Sequence, residues 1–339
     1  MTKTVLVTGG AGYIGSHACK ALAAAGYRPV AYDNLVYGHE LAVKWGPLEI
    51  GDILDAKRLD DVIARHRPSA IMHFAALAYV GESVSDPGKY YQNNVVGTLT
   101  LLDAMRRQGI DRIVFSSTCA TYGTPETAPI AEEATQRPIN PYGMSKLMVE
   151  QILADYGQAY GMTGIALRYF NAAGADPEGE IGDEQHPQTR LIPLVLETAA
   201  GSRPHMTIFG DDYDTPDGTC IRDYIHVSDL AEAHVLALRA LEDSTGVRAY
   251  NLGTGQGISV AQIINASRQV TGRDIPVVTG GRRPGDPAAV FADATRARTE
   301  LGWRPRVSDL TTIIETAWRW RTGDARRGLL QERGNASAV

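Results

Sequence analysis

The chain has 339 residues, of which 44% are hydrophobic and 21% are charged, and this composition excludes a largely disordered protein. Its length suggests about two domains. The 33 basic residues against 39 acidic ones leave a net charge of -6, which disfavours a surface built to bind polyanionic nucleic acid.

Strand-like apolar runs alternate with amphipathic stretches through the first half of the chain. The predicted strands cover residues 4–8, 30–33, 48–52, 70–75, 112–117 and 165–170. The predicted helices cover residues 16–25, 59–66, 97–108 and 146–160. This alternation predicts an α/β fold with a doubly wound parallel sheet that has helices on both faces.

The regular pattern lapses after residue 171, where segments 172–188 and 210–218 are rich in Gly, Pro and acidic residues. A helix over 228–241 and a strand over 249–252 then return to the earlier pattern. We expect one domain from 1–171 and about 226–254, and a smaller, interleaved domain from about 172–225 and 255–320. Residues 321–339 lose apolar periodicity and are predicted to be a flexible tail.

A glycine-rich turn, TGGAGYIG at residues 8–15, follows the first predicted strand and precedes a helix. Gly10, Gly12 and Gly15 match G-x-G-x-x-G, in which glycine permits a tight turn, close approach to a pyrophosphate and close packing of helix on strand. The helix N-terminus adds N–H groups and a partial positive charge. This predicts a dinucleotide-binding site.

An acidic residue follows at the end of the second predicted strand. The Asp33 carboxylate can accept hydrogen bonds from an adenosine ribose diol and would repel a 2′-phosphate. NAD is therefore favoured over NADP, although Arg28 lies nearby in sequence.

Tyr142 and Lys146 open a predicted helix behind Asn140, a candidate N-cap, and Pro141. The i, i+4 spacing places both side chains on one helix face. An ammonium about 4 Å from a phenol, at an effective dielectric near 20, supplies roughly the 4 kcal/mol needed to lower a tyrosine pKa by about three units. We therefore expect Lys146, in a dry site, to make Tyr142 a usable base, with an oxidised nicotinamide adding to the effect.

The fifth predicted strand runs into hydroxyl residues at the carboxyl edge of the sheet, where ligands bind in this class of fold. Thr118 is positioned to share a hydrogen bond with the phenolate and a substrate hydroxyl. Tyr142, Lys146 and Thr118 are the predicted catalytic residues.

Other signals are sparse. The three cysteines lie far apart and the histidines form no ligand motif, so we predict no metal site and a cytoplasmic location. Apolar runs fall short of a membrane span, and no signal-peptide pattern is seen, so neither a membrane association nor export is expected.

Together the motifs resemble the UDP-glucose 4-epimerase family within the extended short-chain dehydrogenase/reductase superfamily. The resemblance covers residues 5 to about 320 and includes FSSTCATYG at 115–123, RYFN at 168–171 and RDYIH at 222–226. It implies a homodimer, bound NAD and a UDP-sugar substrate whose C4 is inverted through a 4-keto intermediate, UDP-glucose to UDP-galactose and back.

The resemblance also implies binding residues. Those implied for NAD are Gly9, Gly12, Tyr13, Ile14, Asp33, Asn34, Asp52, Ile53, Phe74, Ala75, Asn93, Ser116, Tyr142, Lys146 and Tyr169. Those implied for the UDP-sugar are Thr118, Tyr142, Asn171, Leu191, Phe209, Arg222, Arg283, Asp286 and Val290. Forked arginine donors suit a diphosphate, and an aromatic ring can stack on uracil.

Three positions depart from the family pattern. Thr118 stands where several members have Ser, and Ala78 where some have a lysine that is thought to reach the cofactor. Val290 stands where some members have a tyrosine, so N-acetylated sugars are expected to fit.

Alternative activities remain open at this stage. A 4,6-dehydratase or decarboxylase is disfavoured because Cys119 and Ala120, rather than an acid, follow Thr118. A non-catalytic sensor would not need the three catalytic side chains. A UDP-pentose 4-epimerase, acting on UDP-xylose and UDP-arabinose, is not separated from the hexose enzyme by sequence.

Overall fold

The computed structural model describes residues 2–283, 285–323 and 326. The strands are β1 (Thr4–Thr8), β2 (Arg28–Asp33), β3 (Leu48–Ile50), β4 (Ala70–His73), β5 (Arg112–Thr118), β6 (Thr163–Tyr169), β7 (Asn171–Ala173), β8 (Met206–Phe209), β9 (Ile221–Arg222), β10 (Tyr224–His226), β11 (Val247–Leu252), β12 (Ile258–Ser259), β13 (Val277–Gly280) and β14 (Ala289–Val290). The helices are α1 (Tyr13–Ala24), α2 (Ala56–His66), α3 (Val80–Ser85), α4 (Pro87–Tyr90), α5 (Gly97–Arg107), α6 (Pro141–Tyr160), α7 (Leu191–Ala199), α8 (Val227–Ala240), α9 (Val260–Thr271), α10 (Thr295–Glu300) and α11 (Leu310–Thr322). None of the helices within this described part of the chain is both long and apolar enough to cross a bilayer.

A seven-stranded parallel sheet forms the centre of the fold, with strand order β11-β6-β5-β4-β1-β2-β3. The doubly wound α/β prediction is confirmed, and β11 extends the sheet as expected. The strand order reverses between β1 and β4, so the loops that follow these two strands diverge and leave a crevice at the carboxyl edge. The crevice lies where the glycine turn and the predicted catalytic residues emerge.

Both faces of the sheet are covered by apolar side chains. Alternate residues of β1 point in opposite directions, so Val5 and Val7 pack on the face that carries α1 and α8, whereas Leu6 packs on the face that carries α2, α5 and α6. A separate core joins α7, α9 and α11 through residues such as Val195 and Ile314. The carboxyl edge of the sheet is therefore held on a rigid, fully packed layer.

Several element boundaries differ from the sequence prediction. Helix α1 begins three residues earlier. Helix α6 begins at Pro141, as the Asn140–Pro141 pair predicts, because the Asn140 side chain accepts a hydrogen bond from the Gly143 amide at 2.8 Å. Helix α11 runs through Thr322 and so includes the first two residues of the predicted tail. Residues 324–325 and 327–339 of that tail lie outside the described part of the chain.

The segment 174–190 joins the smaller set of elements to the sheet. Tyr13 donates to the Gly174 carbonyl at 2.7 Å, Lys20 bonds to Asp176 at 2.8 Å, and the Tyr79 hydroxyl donates to the Pro187 carbonyl at 2.8 Å. These contacts place α7 across the crevice from the glycine turn. We propose the same two domains as the sequence predicts, one from 1–171 and about 226–254 and the other from about 172–225 and 255–320.

Candidate active site

A cavity of about 550 Å³ lies in the crevice at the carboxyl edge of the sheet. One side is formed by the β1–α1 turn and the ends of β4 and β5, and the other by α7, β8, β9 and the loop before β14. Sixteen of the predicted site residues line it, namely Gly9, Gly12, Tyr13, Ile14, Phe74, Ser116, Thr118, Tyr142, Lys146, Tyr169, Asn171, Leu191, Phe209, Arg222, Arg283 and Asp286. The volume and the mixture of apolar and polar side chains in the wall suit a sizeable ligand.

The glycines of the β1–α1 turn have different roles. A Cβ on Gly15 would lie 2.1 Å from the Gly9 carbonyl oxygen, and one on Gly10 would lie 2.7 Å from Ala31 Cβ, so these two glycines permit close packing. At Gly12, by contrast, the nearest atom is 3.3 Å away, and this residue faces the cavity. No side chain of the described residues caps the first turn of α1. Its N–H groups therefore face a space that suits an anion such as a pyrophosphate.

Asp33 is the last residue of β2, the strand that pairs with β1 beside this turn. Its carboxylate accepts hydrogen bonds from the Ala11 amide at 3.0 Å and the Leu35 amide at 2.9 Å. Burial raises the pKa of Asp33, and these amide hydrogen bonds oppose the rise. Arg28 lies at the other end of β2, so the sequence-based reservation about a nearby basic residue does not extend to this carboxylate.

Seven predicted binding residues lie outside the cavity wall: Asp33, Asn34, Asp52, Ile53, Ala75, Asn93 and Val290. The first three cluster beyond the ends of β2 and β3, where Asn34 donates to the Asp52 carboxylate at 2.9 Å. Ile53 packs in the core, and the backbone of Ala75 abuts Gly9.

Asn93 and Val290 also lie one step behind the cavity. Asn93 donates to Asn94, which is the buried member of the pair and bonds to the Leu77 backbone and to Ser145. Both asparagines lie in a π-helical segment, Tyr91–Val96, a feature often found at functional sites. Val290 packs against Phe170, which does line the cavity. A residue at position 290 therefore acts on the cavity through Phe170.

Tyr142, Lys146 and Thr118 meet at one wall of the cavity, as the i, i+4 spacing and the end of β5 predict. The Lys146 ammonium donates to the Ser116 carbonyl at 2.8 Å. The Thr118 hydroxyl is hydrogen bonded to the Tyr142 phenol and also accepts from the Ala120 amide at 3.1 Å. A proton at the phenol can therefore be shared with Thr118.

The expected effect of Lys146 on Tyr142 requires correction. Burial raises the pKa of Tyr142 to about 12, and the groups that act on the phenol are Thr118, Cys119 and Arg190. Burial also lowers the pKa of Lys146 to about 7. The cost of desolvating the phenolate exceeds the stabilisation that the protein supplies, because the ammonium is directed at a backbone carbonyl and is itself desolvated.

The hydroxyls of Ser116 and Tyr169 are hydrogen bonded to each other beside Lys146. Tyr169 and Phe74 both contact the ring of His234, which is buried on α8. These side chains form an aromatic wall below the cavity, continuous with the glycine turn.

The opposite side of the cavity carries positive charge. Arg222 forms an ion pair with Asp286, and the Arg283 guanidinium lies 4.0 Å from the centre of the Phe209 ring. Phe209 is 37% exposed, so its ring is available to a planar ligand group. Two guanidinium groups and an aromatic ring at one end of a cavity suit a nucleoside diphosphate.

Arg190 is a site residue that the sequence reasoning missed. It precedes α7, lines the cavity, bonds to Asp183 at 2.6 Å and lies 5.0 Å from the centre of the Tyr13 ring. Its charge favours the ionised form of Tyr142. The sequence signal was weak, because an arginine beside an irregular acidic segment is ordinarily a surface residue.

Comparisons with known proteins agree with this geometry. The model of the NAD-dependent epimerase/dehydratase family matches residues 5–253. The UDP-glucose 4-epimerase of Rhizobium meliloti (strain 1021) is 55% identical over 318 residues, which are 94% of this chain and 97% of that protein. The crystal structure of the UDP-glucose 4-epimerase from Brucella ovis in complex with NAD is 55% identical, with a TM-score of 0.92 over 94% of this chain and 98% of that one.

A further solved structure carries a second ligand. The UDP-glucose-4-epimerase from Stenotrophomonas maltophila, with bound NAD and formylated UDP-arabinopyranose, is 42% identical, with a TM-score of 0.93 over 96% of this chain and 99% of that one.

The glycine turn yields a test of the packing. Gly15→Ala forces a Cβ against the Gly9 carbonyl, so we expect the free energy of unfolding to fall by about 1–3 kcal/mol in urea denaturation. Gly81→Ala is the matched control: this α3 glycine has nothing within 4 Å of its Cβ position, so stability should hold or rise. Equal stability of the two variants would contradict this account of the turn.

Proposed function

The chain belongs to the NAD-dependent epimerase/dehydratase family, and we propose that it is an NAD-dependent isomerase that inverts C4 of a UDP-sugar, interconverting UDP-glucose and UDP-galactose. The observation that carries this proposal is the meeting of Tyr142, Lys146 and Thr118 in a cavity whose two ends suit a dinucleotide and a nucleoside diphosphate.

The residues present fit NAD. The uncapped first turn of α1 and Gly12, which lines the cavity, suit its pyrophosphate, and Asp33 lies at the strand end where a ribose diol would be held. Bound NAD supplies a hydride acceptor for sugar C4 and, while oxidised, a positive charge near the phenol. The protein's own groups leave the pKa of Tyr142 raised, so they do not produce that activation by themselves.

The chain's residues handle the proton. Tyr142 takes the proton of the sugar 4-hydroxyl as C4 is oxidised, and Thr118 shares the hydrogen bond between the two oxygens. Lys146, held by the Ser116 carbonyl, presents its ammonium on the same wall of the cavity, whereas Thr118 and Arg190 are the groups that lower the pKa of the phenol. The same phenol returns its proton when the 4-keto sugar is reduced. Because C4 is first oxidised and then reduced, the net redox change is zero.

Inversion requires that the nucleotide stays fixed while the sugar turns. Arg222, Arg283 and Phe209, which share one end of the cavity, would hold the UDP part by charge and stacking. Ala78 and Ala120, in the cavity wall, have side chains that make no hydrogen bonds and leave room for rotation. Binding energy from the distant UDP part thus retains the 4-keto sugar without fixing its orientation.

The hexose reaction is favoured over the pentose one, because relatives that are 55% identical over 94% of this chain are named UDP-glucose 4-epimerases. Purified protein should be offered UDP-galactose, UDP-N-acetylgalactosamine and UDP-arabinose in parallel without added cofactor. UDP-galactose should be inverted fastest. Retained NAD without inversion of any of the three would refute the proposal.

Tyr142→Phe removes the proton acceptor and should lower kcat by about 10²–10⁴-fold. The measurement is conversion of UDP-galactose by protein with verified NAD content. Tyr27→Phe, just before β2 and outside the cavity wall, is the control and should retain the parental rate. A Tyr142→Phe variant that is folded, loaded and fully active would show that another group moves the proton.

Asp33→Asn tests the choice of cofactor. Removing this carboxylate weakens the hydrogen bonds to a ribose diol and removes repulsion of a 2′-phosphate, so the ratio of NADP to NAD affinity should rise by about tenfold or more. Calorimetric titration of both dinucleotides measures the ratio, with exposed Asp61→Asn as the control. An unchanged ratio would exclude Asp33 from cofactor selection.

We also propose a homodimer through α5 and α6. On α6 an apolar stripe with a spacing of four residues runs through Met148, Ile152, Tyr156 and Tyr160, and its end residues are 37% and 53% exposed. A second copy of the chain would cover these side chains.

The three free cysteines, none of which is paired, support the proposed cytoplasmic location.

Sedimentation velocity tests the dimer. The wild-type protein should sediment at twice the chain mass, and Met148→Glu should shift the population toward the monomer because it buries a charge in the contact. Val278→Glu, on the exposed face of β13, is the control. A monomer at all concentrations, or a dimer that Met148→Glu leaves intact, would contradict the proposal.

A further inference from the structure

A buried carboxylate lies one helical turn beyond Lys146. Glu150 is four residues further along α6, so the two side chains lie on the same face of the helix. Lys146 is 3% exposed and Glu150 is 8% exposed. An acid and a base are thus taken out of water side by side, next to the cavity.

Glu150 is held from three directions. Arg168, on β6, donates to it from Nε at 3.0 Å and from Nη2 at 2.6 Å, and Gln136 donates at 3.2 Å. The Ser117 hydroxyl also donates to the Glu150 carboxylate. Arg168 therefore compensates the buried negative charge, which can remain ionised inside the protein.

Strand β5 ties this carboxylate to the active site. Ser117 bonds to Glu150, while the preceding residue, Ser116, accepts the hydrogen bond from Lys146, and the following residue, Thr118, bonds to Tyr142. Three consecutive residues of one strand thus contact Lys146, Glu150 and the Tyr142 phenol, in that order. The position of the carboxylate is fixed relative to the ammonium.

The other groups near Lys146 provide little negative charge. They are His73 on β4, Phe115 and Ser116 on β5, and Tyr142 on α6. From β6, Tyr169 bonds to the Ser116 hydroxyl and Arg168 bonds to Glu150. His73 is buried between Thr8 and Thr98, and its pKa is lowered to about 3, so it is neutral. Burial lowers the pKa of Lys146, and the Glu150 carboxylate is the charge that opposes this.

We propose that Glu150 is a positioning residue of the active site, whose buried, Arg168-paired carboxylate keeps the Lys146 ammonium charged on the Tyr142 face of α6. The inference rests on the proposed 4-epimerase activity for its kinetic meaning. The Glu150 carboxylate thereby offsets the free-energy cost of burying the Lys146 ammonium.

Glu150→Gln removes the charge and keeps a side chain of the same shape. Activity that needs the ammonium is lost as pH rises through the pKa of Lys146. Removing a carboxylate roughly 6 Å away should move this alkaline limb of kcat/KM to lower pH by about one to two units. The kcat/KM of the variant should therefore be about tenfold or more below that of the wild type at pH 8, and much less reduced at pH 6.

A second readout is independent of activity. Because the pKa of Lys146 is lower in the folded chain than in the unfolded one, stability rises with pH between the two values. Glu150→Gln should lower the folded-state pKa of Lys146 further and so extend this pH range downward. The Tm of the variant should therefore fall further below the wild-type Tm as pH falls from about 8 to about 6. In a Lys146→Met background the deficit should be independent of pH.

Two variants complete the design. Glu150→Asp keeps the charge and should restore much of the alkaline limb. Glu49→Gln, on β3, removes an equally buried carboxylate that is paired with Arg58, Arg65 and His66 of α2. It should lower Tm without moving the alkaline limb.

An alkaline limb that stays in place in Glu150→Gln, or a Tm deficit that does not change with pH, would overturn the inference. A wild-type protein that inverts none of the UDP-sugars would refute the proposed function instead, and the Tm comparison would still decide the role of Glu150.

Discussion

Removal of charged groups from water at the carboxyl edge of the sheet is the constraint on which this site depends. A buried ionised group without a partner costs several kcal/mol, and the charged groups of this site each have a polar partner. Lys146 bonds to the Ser116 carbonyl, and Arg190 to Asp183. Asp33 accepts two backbone amides. These pairings determine where the elements that carry the site can lie.

The parallel sheet supplies the meeting place. The β1–α1 turn and the end of β5 reach the same edge because all strands run in one direction, and the reversal of strand order opens the crevice between them. Helix α7 closes the far side, positioned by segment 174–190, which bonds to residues of the sheet layer such as Tyr13 and Lys20. The part of the cavity that suits a dinucleotide and the part that suits a nucleoside diphosphate are thereby brought together.

Local patterns were sufficient for most of the fold. Alternating strand and helix periodicity predicted the doubly wound parallel sheet, and the Asn140–Pro141 signal predicted the start of α6 because capping depends on neighbouring residues alone. Burial was harder to predict. Arg190 precedes α7 in an irregular segment, and its place in the cavity depends on packing against Tyr13, which is 177 residues earlier in the chain. Val290 likewise lies behind Phe170 for reasons that only packing supplies.

The sequence by itself determined the parallel α/β sheet, the glycine turn and the shared helix face of Tyr142 and Lys146, because each follows from periodicity or from residues a few positions apart. Only the tertiary structure decided the ionisation of these groups. The pKa of Tyr142 is raised and that of Lys146 lowered because both are desolvated, and the opposing charges come from Arg190 and Glu150. A pKa depends on every charge and every water molecule around a group, and distant parts of the chain supply or exclude them.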